Sequence, residues 1–395
     1  METLVIFKIN SLKGGDMQSS YKKNISIENF VFIGVFFGMF GWIGKIMGPT
    51  NMLATIMNTG YRLLMDTCFY IMGISVVAGA LSGLFSEFGF IALVDVVLSK
   101  VMKPIYNLPG ASSLGILNCY LSDNPAILTL ADEDNFKKYF KKYQMPALCN
   151  LGTSFGMGLI VTTTMFALHV EGAVKAAFIG NLGAIVGSIV SVRVMLSFTK
   201  KHYGTSEMVK VANVADVPKG YRIIRTGSAG SRAIEAILHG GKRGVDMGVA
   251  IIPGVITICT VVMILTNKMP VGGYTGAIGE GVAFLPWLGE KLSFILSPIF
   301  GFTNDSFIAV PITALGSAGA ALGVVKEFAS SGTLSGNDIA VFTAMCMCWS
   351  GYLSTHIAMM DALGTKEMTS SAILAHTIGG LCAGFAAHIF ALILL

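Results

Sequence analysis

Residues 114–130 read Leu-Gly-Ile-Leu-Asn-Cys-Tyr-Leu-Ser-Asp-Asn-Pro-Ala-Ile-Leu-Thr-Leu, an apolar stretch that a polar break interrupts at 121–125. A second polar break, Thr303-Asn304-Asp305-Ser306, interrupts another apolar stretch and places Asp305 in the position that Asp123 holds in the first. Apolar segments with broken members that recur in the same order are typical of transporters built from two repeats. Further matched pairs support this duplication: Asp66 with Asp246, Ser154 with Ser350, and Ile179 with Ile378.

The composition is that of an integral membrane protein. Apolar residues make up 53% of the 395 positions and charged residues only 12%, and the apolar residues fall in blocks of about twenty, the length that crosses a bilayer. The 47 glycines fit helices that pack closely in lipid through small residues. The seven cysteines lie within or beside apolar blocks, so we interpret them as packing residues. The net charge of +5 comes from loops and indicates orientation, not nucleic-acid binding.

Two stretches, 105–130 and 298–325, fit either one crossing helix or a hairpin that enters and leaves on the same side. The hairpin alternative places 21 of the 27 Lys and Arg residues inside, against 17 if both stretches cross, so the positive-inside rule favours hairpins. We therefore predict an all-α polytopic membrane protein with about seven spanning helices and two re-entrant hairpins, arranged as inverted repeats. The predicted spans are 29–48, 66–88, 146–168, 172–197, 245–268, 339–361 and 372–394.

The same pattern divides the chain into segments. They are a cytoplasmic N-terminal segment (1–28), an extra first transmembrane helix with its loop (29–60), a first repeat (61–198), a basic cytoplasmic linker (199–244) and a second repeat (245–395). We expect a multi-pass protein of a prokaryotic plasma membrane with its N-terminus in the cytoplasm. Its partners would be the lipid bilayer and a small-molecule substrate, and a homo-oligomer is left open.

The hairpin tips are the first candidates for a binding site. A tip at membrane depth leaves backbone groups without helical partners, and these must face protein, water or a ligand. Short side chains that carry oxygen or nitrogen stand at both breaks: Ser122, Asp123, Asn124, Thr303, Asn304, Asp305 and Ser306. The alternative is ordinary helix capping, which these residue types perform routinely.

The helices after the hairpins supply the remaining candidates. Ser154 follows the first hairpin, and Ser350, Ser354, Thr355 and His356 follow the second. Hydroxyls in membrane helices often bond the preceding turn instead, whereas an ionisable group at that depth normally faces a cavity or a partner. No cofactor is predicted except a coupling Na⁺, for which the candidate oxygen ligands are Asp123, Asn124, Asn150, Thr153 and Ser154. His376 and His388 are weaker candidates for the pathway. Asp66 and Asp246 are expected either to form surface ion pairs with Arg62 and Arg243 or to cap their helices.

Enzyme signatures are missing from the chain. It contains no H-E-x-x-H, no P-loop and no glycine-rich fingerprint after a strand. We therefore do not expect an enzyme.

The region from Tyr61 to about Val170 resembles the Gate, or nucleoside-recognition, family. The resemblance rests on Met102-Lys103-Pro104, on Leu108-Pro109-Gly110, on Leu121-Ser122-Asp123-Asn124-Pro125-Ala126 and on the Ser/Gly-rich helix that follows. Residues 245–394 look like a diverged second copy. Members include concentrative nucleoside transporters, the ethanolamine permease, the membrane part of ferrous-iron transporters and spore maturation proteins.

The resemblance implies a secondary-active transporter that moves a small polar solute, such as a nucleoside, base or amine, by alternating access with hairpin gates. Nucleoside transporters of this kind are expected to carry a glutamate on each post-hairpin helix, and 146–168 and 339–361 contain none. We favour Na⁺ coupling. One alternative is an H⁺-coupled permease that uses His356, and another is a non-transporting Gate-fold protein that acts in assembly or spore maturation.

The charge distribution predicts that 131–145 and 199–244 lie on the same side of the membrane as the N-terminus. Single cysteines at Lys138 and Lys210, on a Cys-depleted background, should react with an impermeant maleimide only from that side. Labelling of the two positions from opposite sides would remove the first hairpin, and with it the inverted repeat.

Overall fold

The computed structural model describes residues 24–131, 134–211 and 224–395. These residues are helical, and extended pairing among them is confined to one antiparallel bridge between Lys141 and Met208. The predicted all-α class is therefore confirmed. Most of the predicted N-terminal segment 1–28, and residues 212–223 of the predicted linker, lie outside the described residues.

The first half of the described chain is a succession of α-helices, the first of which lies at the periphery. Its helices are α1 (Ile27–Met47), α2 (Pro49–Arg62), α3 (Phe69–Glu87), α4 (Phe90–Val101), α5 (Ser112–Leu121), α6 (Ala126–Ala131), α7 (Asp134–Lys137), α8 (Ala147–Thr153), α9 (Gly158–Phe166) and α10 (Ala173–Tyr203). A π-helical segment, Leu63–Cys68, joins α2 to α3, and another, Met102–Tyr106, extends α4.

The second half has corresponding elements in the same order. They are α11 (Ala229–Gly254), α12 (Thr260–Thr266), α13 (Phe284–Phe300), α14 (Ala309–Gly316), α15 (Ala318–Ser330), α16 (Gly336–Cys348), α17 (Tyr352–Ala362) and α18 (Thr369–Leu394). A π-helical segment, Val255–Cys259, joins α11 to α12, and a 3₁₀ turn, Asp305–Ile308, precedes α14. Both α10 and α11 extend into the predicted linker 199–244, which is therefore shorter than expected.

Within the described residues, four helical segments are long and apolar enough to cross a membrane. They are Ile27–Met47, Lys142–Phe166, Ala173–Tyr203 and Lys366–Leu394. A fifth would be the pair Phe284–Phe300 and Asp305–Gly316 if this pair, bent by 79°, forms one span. The other predicted spans, 66–88, 245–268 and 339–361, are helical but are interrupted by a π-helical segment or a break.

The two halves have left-handed backbone residues at matching positions. Left-handed residues, which end or begin helices, recur at a nearly constant offset between the two halves. The matched pairs are Gly89 and Ala283 (283 − 89 = 194), Asn107 and Gly301 (301 − 107 = 194), Met157 and Gly351 (351 − 157 = 194), and Gly172 and Gly364 (364 − 172 = 192). The first residues of Leu63–Cys68 and Val255–Cys259 stand at the same offset (255 − 63 = 192).

This offset corrects two pairings that the sequence suggested. Asp66 lies in the first π-helical segment, whose counterpart begins at Val255, so Asp246 is not its equivalent. The first break, at Ser122 after α5, corresponds to the break at Ser317 (317 − 122 = 195) and not to Asp305.

Corresponding helices of the two halves pack antiparallel. On α10 and α18, Gly183 contacts Ala387 and Gly379 contacts Ser191, so the contact position moves forward on one helix as it moves backward on the other. The same holds for α3 and α11, where Gly83 contacts Ala236 and Gly248 contacts Met72. Equivalent helices that run in opposite directions identify the two halves as inverted repeats.

Each half contains a helical hairpin. In the first, α5 and α6 pack together, and Ile127 occupies the space beside Gly115. In the second, α14 and α15 pack together and turn at Gly316 and Ser317. The sequence placed the second turn at Thr303–Ser306, but that segment is the bend before α14. A polar Asn-Asp-Ser run suits helix capping as well as a tip, which is why the pattern misled.

Segments that the sequence places on one side of the membrane meet at one end of the structure. The Lys142 N–H donates to the Glu207 carbonyl (2.8 Å), and the Tyr203 hydroxyl donates to the Glu367 carboxylate. At the opposite end, the loop between α12 and α13 contains a buried carboxylate, Glu280. Its burial raises the pKa, but hydrogen bonds from Thr275 and Gly276 outweigh that effect and hold the pKa below its usual value.

The α10–α18 contact yields a stability prediction. A Cβ at Gly187 would lie 2.5 Å from both the Gly379 carbonyl and the Ala383 Cβ, whereas a Cβ at Gly38 on α1 meets nothing within 4 Å. Gly187→Leu should therefore lower the free energy of unfolding by about 1–3 kcal/mol, the usual cost of overpacking, and with it the melting temperature of the purified protein. Gly38→Leu is the matched control and should melt like the wild type. Equal melting of the two variants would contradict the close antiparallel contact.

Candidate functional site

Two broken helices cross the middle of the structure. The first is α8 and α9, separated by residues 154–157, and the second is α16 and α17, separated by residues 349–351. Met157 and Gly351, both left-handed, begin the second half of each helix. Each break frees backbone groups that a continuous helix would pair, and in a membrane interior these groups require other partners.

The first hairpin tip supplies partners to the break in the opposite repeat. The Asn124 side chain is fully buried, and its Nδ2 donates to the Ser350 carbonyl (2.8 Å). The Ser350 hydroxyl donates to Asn124 Oδ1 (2.7 Å) and contacts the Thr153 carbonyl (3.4 Å). Asn124 and Ser350 therefore join the first tip to both helix breaks.

Glycine at position 156 makes this approach possible. A Cβ there would overlap Asn124 Oδ1 and would lie 2.7 Å from the Ser350 hydroxyl. The sequence Gly-Thr-Ser-Phe-Gly at 152–156 therefore provides a gap into which the hairpin tip enters.

The second hairpin tip reaches the same region. The Gly351 N–H donates to the Ala314 carbonyl in the last turn of α14 (2.9 Å), and a Cβ at Gly351 would lie 3.2 Å from the Gly316 carbonyl. Ser317 caps α15 by accepting from the Ala320 N–H (3.2 Å). Two hairpin tips and two helix breaks thus converge, and we call this region the central junction.

A buried polar chain lies behind the central junction. Asn150 Nδ2 donates to the Ser191 hydroxyl (3.0 Å), which bonds His376 Nδ1 (2.9 Å). His376 Nε2 bonds the Cys348 carbonyl (2.5 Å), so it carries the ring proton, and Nδ1 accepts from Ser191. The chain satisfies a carbonyl that the break in α16 frees. His376 therefore has a defined structural role that the sequence did not indicate.

His356 is buried without side-chain hydrogen bonds to the described residues. Its ring is 4.7 Å from that of His376, centroid to centroid, and packs on Tyr352. Neither ring nitrogen has a partner there at hydrogen-bonding geometry, and the backbone of Tyr352, one turn earlier, is the nearby polar group. Asn150 Oδ1 is likewise buried and unpartnered. These are the polar atoms here that a bound molecule could satisfy.

The residues expected to bind Na⁺ are brought near one another, but most of them already have partners. The Thr153 and Ser154 hydroxyls donate to the Cys149 and Asn150 carbonyls one turn earlier (2.9 and 2.8 Å). Asp123 is half-buried, and its Oδ1 accepts from the Asn124 N–H (2.7 Å). Across the residues described, no group of three or more His, Cys, Asp or Glu side chains could hold a metal ion.

The other predicted site residues divide into two sets. Ser122 is half-buried at the first tip and Ser350 is at the central junction, whereas Thr303 and Asp305 are exposed at the bend before α14. At that bend, Asn304 Oδ1 accepts from the Ser306 N–H (2.9 Å), which is the capping role left open by the sequence. The backbone of Ser354 lies in α17, but its side chain is outside the described part of the chain.

A further candidate from the sequence reaches the central junction. Thr355 lies one turn into α17, and its hydroxyl is 3.4 Å from Asn124 Nδ2 and donates to the Gly351 carbonyl (3.0 Å). Nothing in the pattern separates it from other helix hydroxyls.

Residues 152–156 also fit the G-x-S-x-G pattern of hydrolase nucleophiles, a match that the sequence reading passed over. In hydrolases this serine stands on a sharp turn beside a histidine. Here the Ser154 hydroxyl bonds its own helix, at the Asn150 carbonyl, and not a histidine. The local structure therefore gives the match no catalytic meaning.

A cleft of about 670 Å³ opens at the end of the molecule that carries Tyr203 and Glu367. Lys137, Lys142 and Lys210 line it together with Glu207. Ala131, the last residue of α6, and Ala362, the last residue of α17, are also part of its wall. One helix of the first hairpin and one half of the second broken helix therefore end at this cleft.

No protein-family model and no curated protein matches the chain. Solved structures of CNTnw, a concentrative nucleoside transporter, have a similar fold. The inward-facing, substrate-bound structure is 14% identical and covers 92% of this chain and 83% of that chain, with a TM-score of 0.53. A variant in an outward-facing state is 14% identical and covers 93% and 85%, with a TM-score of 0.52.

These likenesses establish the class of protein at the level of the fold. The chain is a polytopic α-helical membrane protein with a nucleoside-transporter type of fold, and the proteins that it resembles are transporters, not enzymes.

The central junction yields a stability prediction. Asn124→Ala removes the hydrogen bond to the buried Ser350 carbonyl and leaves the Ser350 hydroxyl with only its longer contact to the Thr153 carbonyl (3.4 Å). The variant should lose about 1–3 kcal/mol of stability and melt at a lower temperature than the wild type. Asp305→Ala, at an exposed position, is the control and should melt normally. A normal melting temperature for Asn124→Ala would show that the tip does not depend on this contact.

Proposed function

We propose that this protein is a secondary-active transporter of a small polar solute, with the two hairpins as gates in alternating access. The observation that carries the proposal is the central junction, where two hairpin tips meet two helix breaks. Polar backbone at membrane depth is tolerated where it is buried in protein or lines a cavity, and discontinuous helices at a repeat interface typically hold the substrate.

The chemistry of the central junction favours a small, hydrogen-bonding solute. Its polar side chains, Asn124, Ser350 and Thr355, offer amide and hydroxyl groups, and the halves of the broken helices contain no glutamate. A nucleoside, a base or a small amine would find donors and acceptors there. Such a site discriminates strongly between solutes, because a solute that cannot hydrogen-bond to these buried groups leaves them unpaired.

Coupling to Na⁺ is part of the proposal. Asn124 Oδ1, the Ser350 hydroxyl and the Thr153 carbonyl are linked through Ser350 by contacts of 2.7 and 3.4 Å. Hard cations prefer such oxygen ligands, and Asp123 beside them supplies negative charge. Of the other candidates from the sequence, Asn150 offers Oδ1, which is buried without a partner among the described residues, whereas the Ser154 hydroxyl already donates to its own helix. A bound Na⁺ would neutralise Asp123 and stabilise the closed first tip.

One observation favours proton coupling as a second candidate. His356 is an imidazole buried at membrane depth, both of its nitrogens lack partners among the described residues, and ionisable groups in such places are expensive and commonly functional. His376, 4.7 Å away, is already committed to the Cys348 carbonyl. The non-transporting alternative finds no comparable support in the described residues.

The structure offers two bodies for alternating access. The paired helices α2–α3 and α11–α12, each joined by a π-helical segment, form a frame. The hairpins, the broken helices, α10 and α18 form a second body around the central junction. We infer relative motion of these bodies in a plasma membrane, with the N-terminus in the cytoplasm. This division is compatible with an elevator motion and with a rocking motion. It is also compatible with a homo-oligomer assembled through the frame.

Uptake assays test the coupling. Proteoliposomes should accumulate at least one of uridine, adenosine, cytosine and ethanolamine under an inward Na⁺ gradient at fixed pH, and not when K⁺ replaces Na⁺. His356→Gln should keep this response, because it leaves the oxygens at the first tip intact. Uptake that follows a pH gradient without Na⁺, and that is lost in His356→Gln, would instead identify the histidine as the coupling site.

The carboxylates of Asp123, at the first hairpin tip, and Asp305, at the bend before α14, should differ in their effect on uptake. Asp123→Ala should reduce this uptake about tenfold or more, since a hydrogen bond to a charged group contributes roughly 1.5–3 kcal/mol. Asp305→Ala, which the sequence alone ranked equal to it, should transport like the wild type because it lies at the exposed bend. Equal losses in the two variants would contradict the central junction as the site.

A further inference from the structure

Oppositely charged side chains meet where the second hairpin touches the frame. Arg62, at the end of α2, forms an ion pair with Glu327 on α15, with Arg62 Nη2 3.1 Å from Glu327 Oε2. Both side chains are about three-quarters buried. The sequence analysis paired Arg62 with Asp66, one turn along the chain, but its carboxylate partner lies in the other repeat.

The neighbouring lysine makes a second link to the same place. The Lys326 ammonium donates to the backbone carbonyl of Asp66 and lies over the Tyr70 ring, 4.1 Å from its centroid. Asp66 belongs to the π-helical segment Leu63–Cys68. Such segments interrupt the regular hydrogen bonding of a helix and often mark functional positions.

Tyr70 continues the contact to the first broken helix. Its hydroxyl donates to the Ala167 carbonyl, just after α9 (3.2 Å). One short stretch of the frame therefore holds both the second hairpin and the end of α9. We call the set Arg62, Asp66, Tyr70, Lys326 and Glu327 the latch.

The inverted repeat offers a comparison, and the basic side chains of the latch have no copy in it, although Asp132 stands at the position that corresponds to Glu327 (327 − 195). At the offset of the π-helical segments, Gly254 and Ile258 stand where Arg62 and Asp66 stand in the first half (62 + 192 and 66 + 192). At the offset of the hairpin tips, Ala131 takes the place of Lys326 (326 − 195). Pure scaffold contacts would be expected to recur with the repeat, so a one-sided charge cluster points to a step that only the second hairpin performs.

We propose that the latch is a conformational lock. It holds α15, the second helix of the second hairpin, against the frame in the conformation of this structure. It opens during the transport cycle. The latch lies near the end of α15 where α16 begins, whereas the cleft lies at the end where α17 stops. The structure is therefore closed by charge pairs at one end and open at the other. Partly buried charges that lose their partners are costly, so separation requires compensation by a bound cation or solute.

The motion rests on the proposed function, but the lock can be measured without transport. Spin labels at Val77→Cys, exposed on α3 of the frame, and Ser331→Cys, exposed at the end of α15, leave the latch residues in place. On a Cys-depleted background in nanodiscs, this pair should give two distance populations by double electron–electron resonance. Their ratio should change between NaCl and KCl with uridine or ethanolamine present. The matched control is Lys138→Cys with Ser331→Cys, a pair that lies within the second body, because the two positions follow the first and the second hairpin. This pair should give one unchanged distance.

A single distance for the 77–331 pair in every condition would overturn the lock, whether or not the protein transports. Two populations in the control pair as well would also overturn it, because the change would then not be confined to the contact between frame and hairpin.

Charge reversal provides a second test with the same pair of labels. Arg62→Glu places two carboxylates together and should shift the population measured between spin labels at Val77 and Ser331 at least fivefold. The swap Arg62→Glu with Glu327→Arg should restore the wild-type ratio. If neither variant changes the population, the ion pair is a passive contact and the proposal is wrong.

Discussion

The structure depends on one constraint: backbone groups at interrupted helices inside a membrane must find partners within the protein. Two helices break and two hairpins turn at the central junction, and each break is satisfied by a segment from elsewhere in the chain. Asn124 and Ser350, which belong to different repeats, are an example. The Asn124 amide donates to the Ser350 carbonyl, and the Ser350 hydroxyl donates to Asn124 Oδ1. The inverted repeat follows naturally, because two halves of opposite direction bring four such breaks to one place.

Much of the architecture was accessible from sequence because membrane-length apolar blocks report helices directly. The first tip was also predicted, since Asp-Asn-Pro cannot continue a helix and lies inside an apolar stretch. The second tip was placed wrongly because Gly316 and Ser317 form no conspicuous polar run in the sequence. Asn304 and Asp305 do form one, but they lie at a capped bend and not at a hairpin tip. Capping residues and binding residues are the same types, so composition cannot separate them.

The contacts that define the candidate site were beyond sequence reasoning because they join distant segments. His376 was a weak candidate for the pathway, yet it supplies the hydrogen bond that a freed carbonyl of α16 needs. Thr153 and Ser154 were expected to face a cation, yet their hydroxyls bond their own helix. Arg62 finds its carboxylate on the second hairpin. Charges and hydroxyls are readable in a sequence, but their partners are set by the packing of the two repeats.

The most direct test of the account is cryo-electron microscopy of the protein in nanodiscs, with Na⁺ and with the solute that uptake identifies. The account predicts density for the solute between the hairpin tips and the helix breaks, within hydrogen-bonding distance of Asn124 or Ser350. Solute density confined to the cleft beside Glu367, with the central junction fully packed, would contradict it.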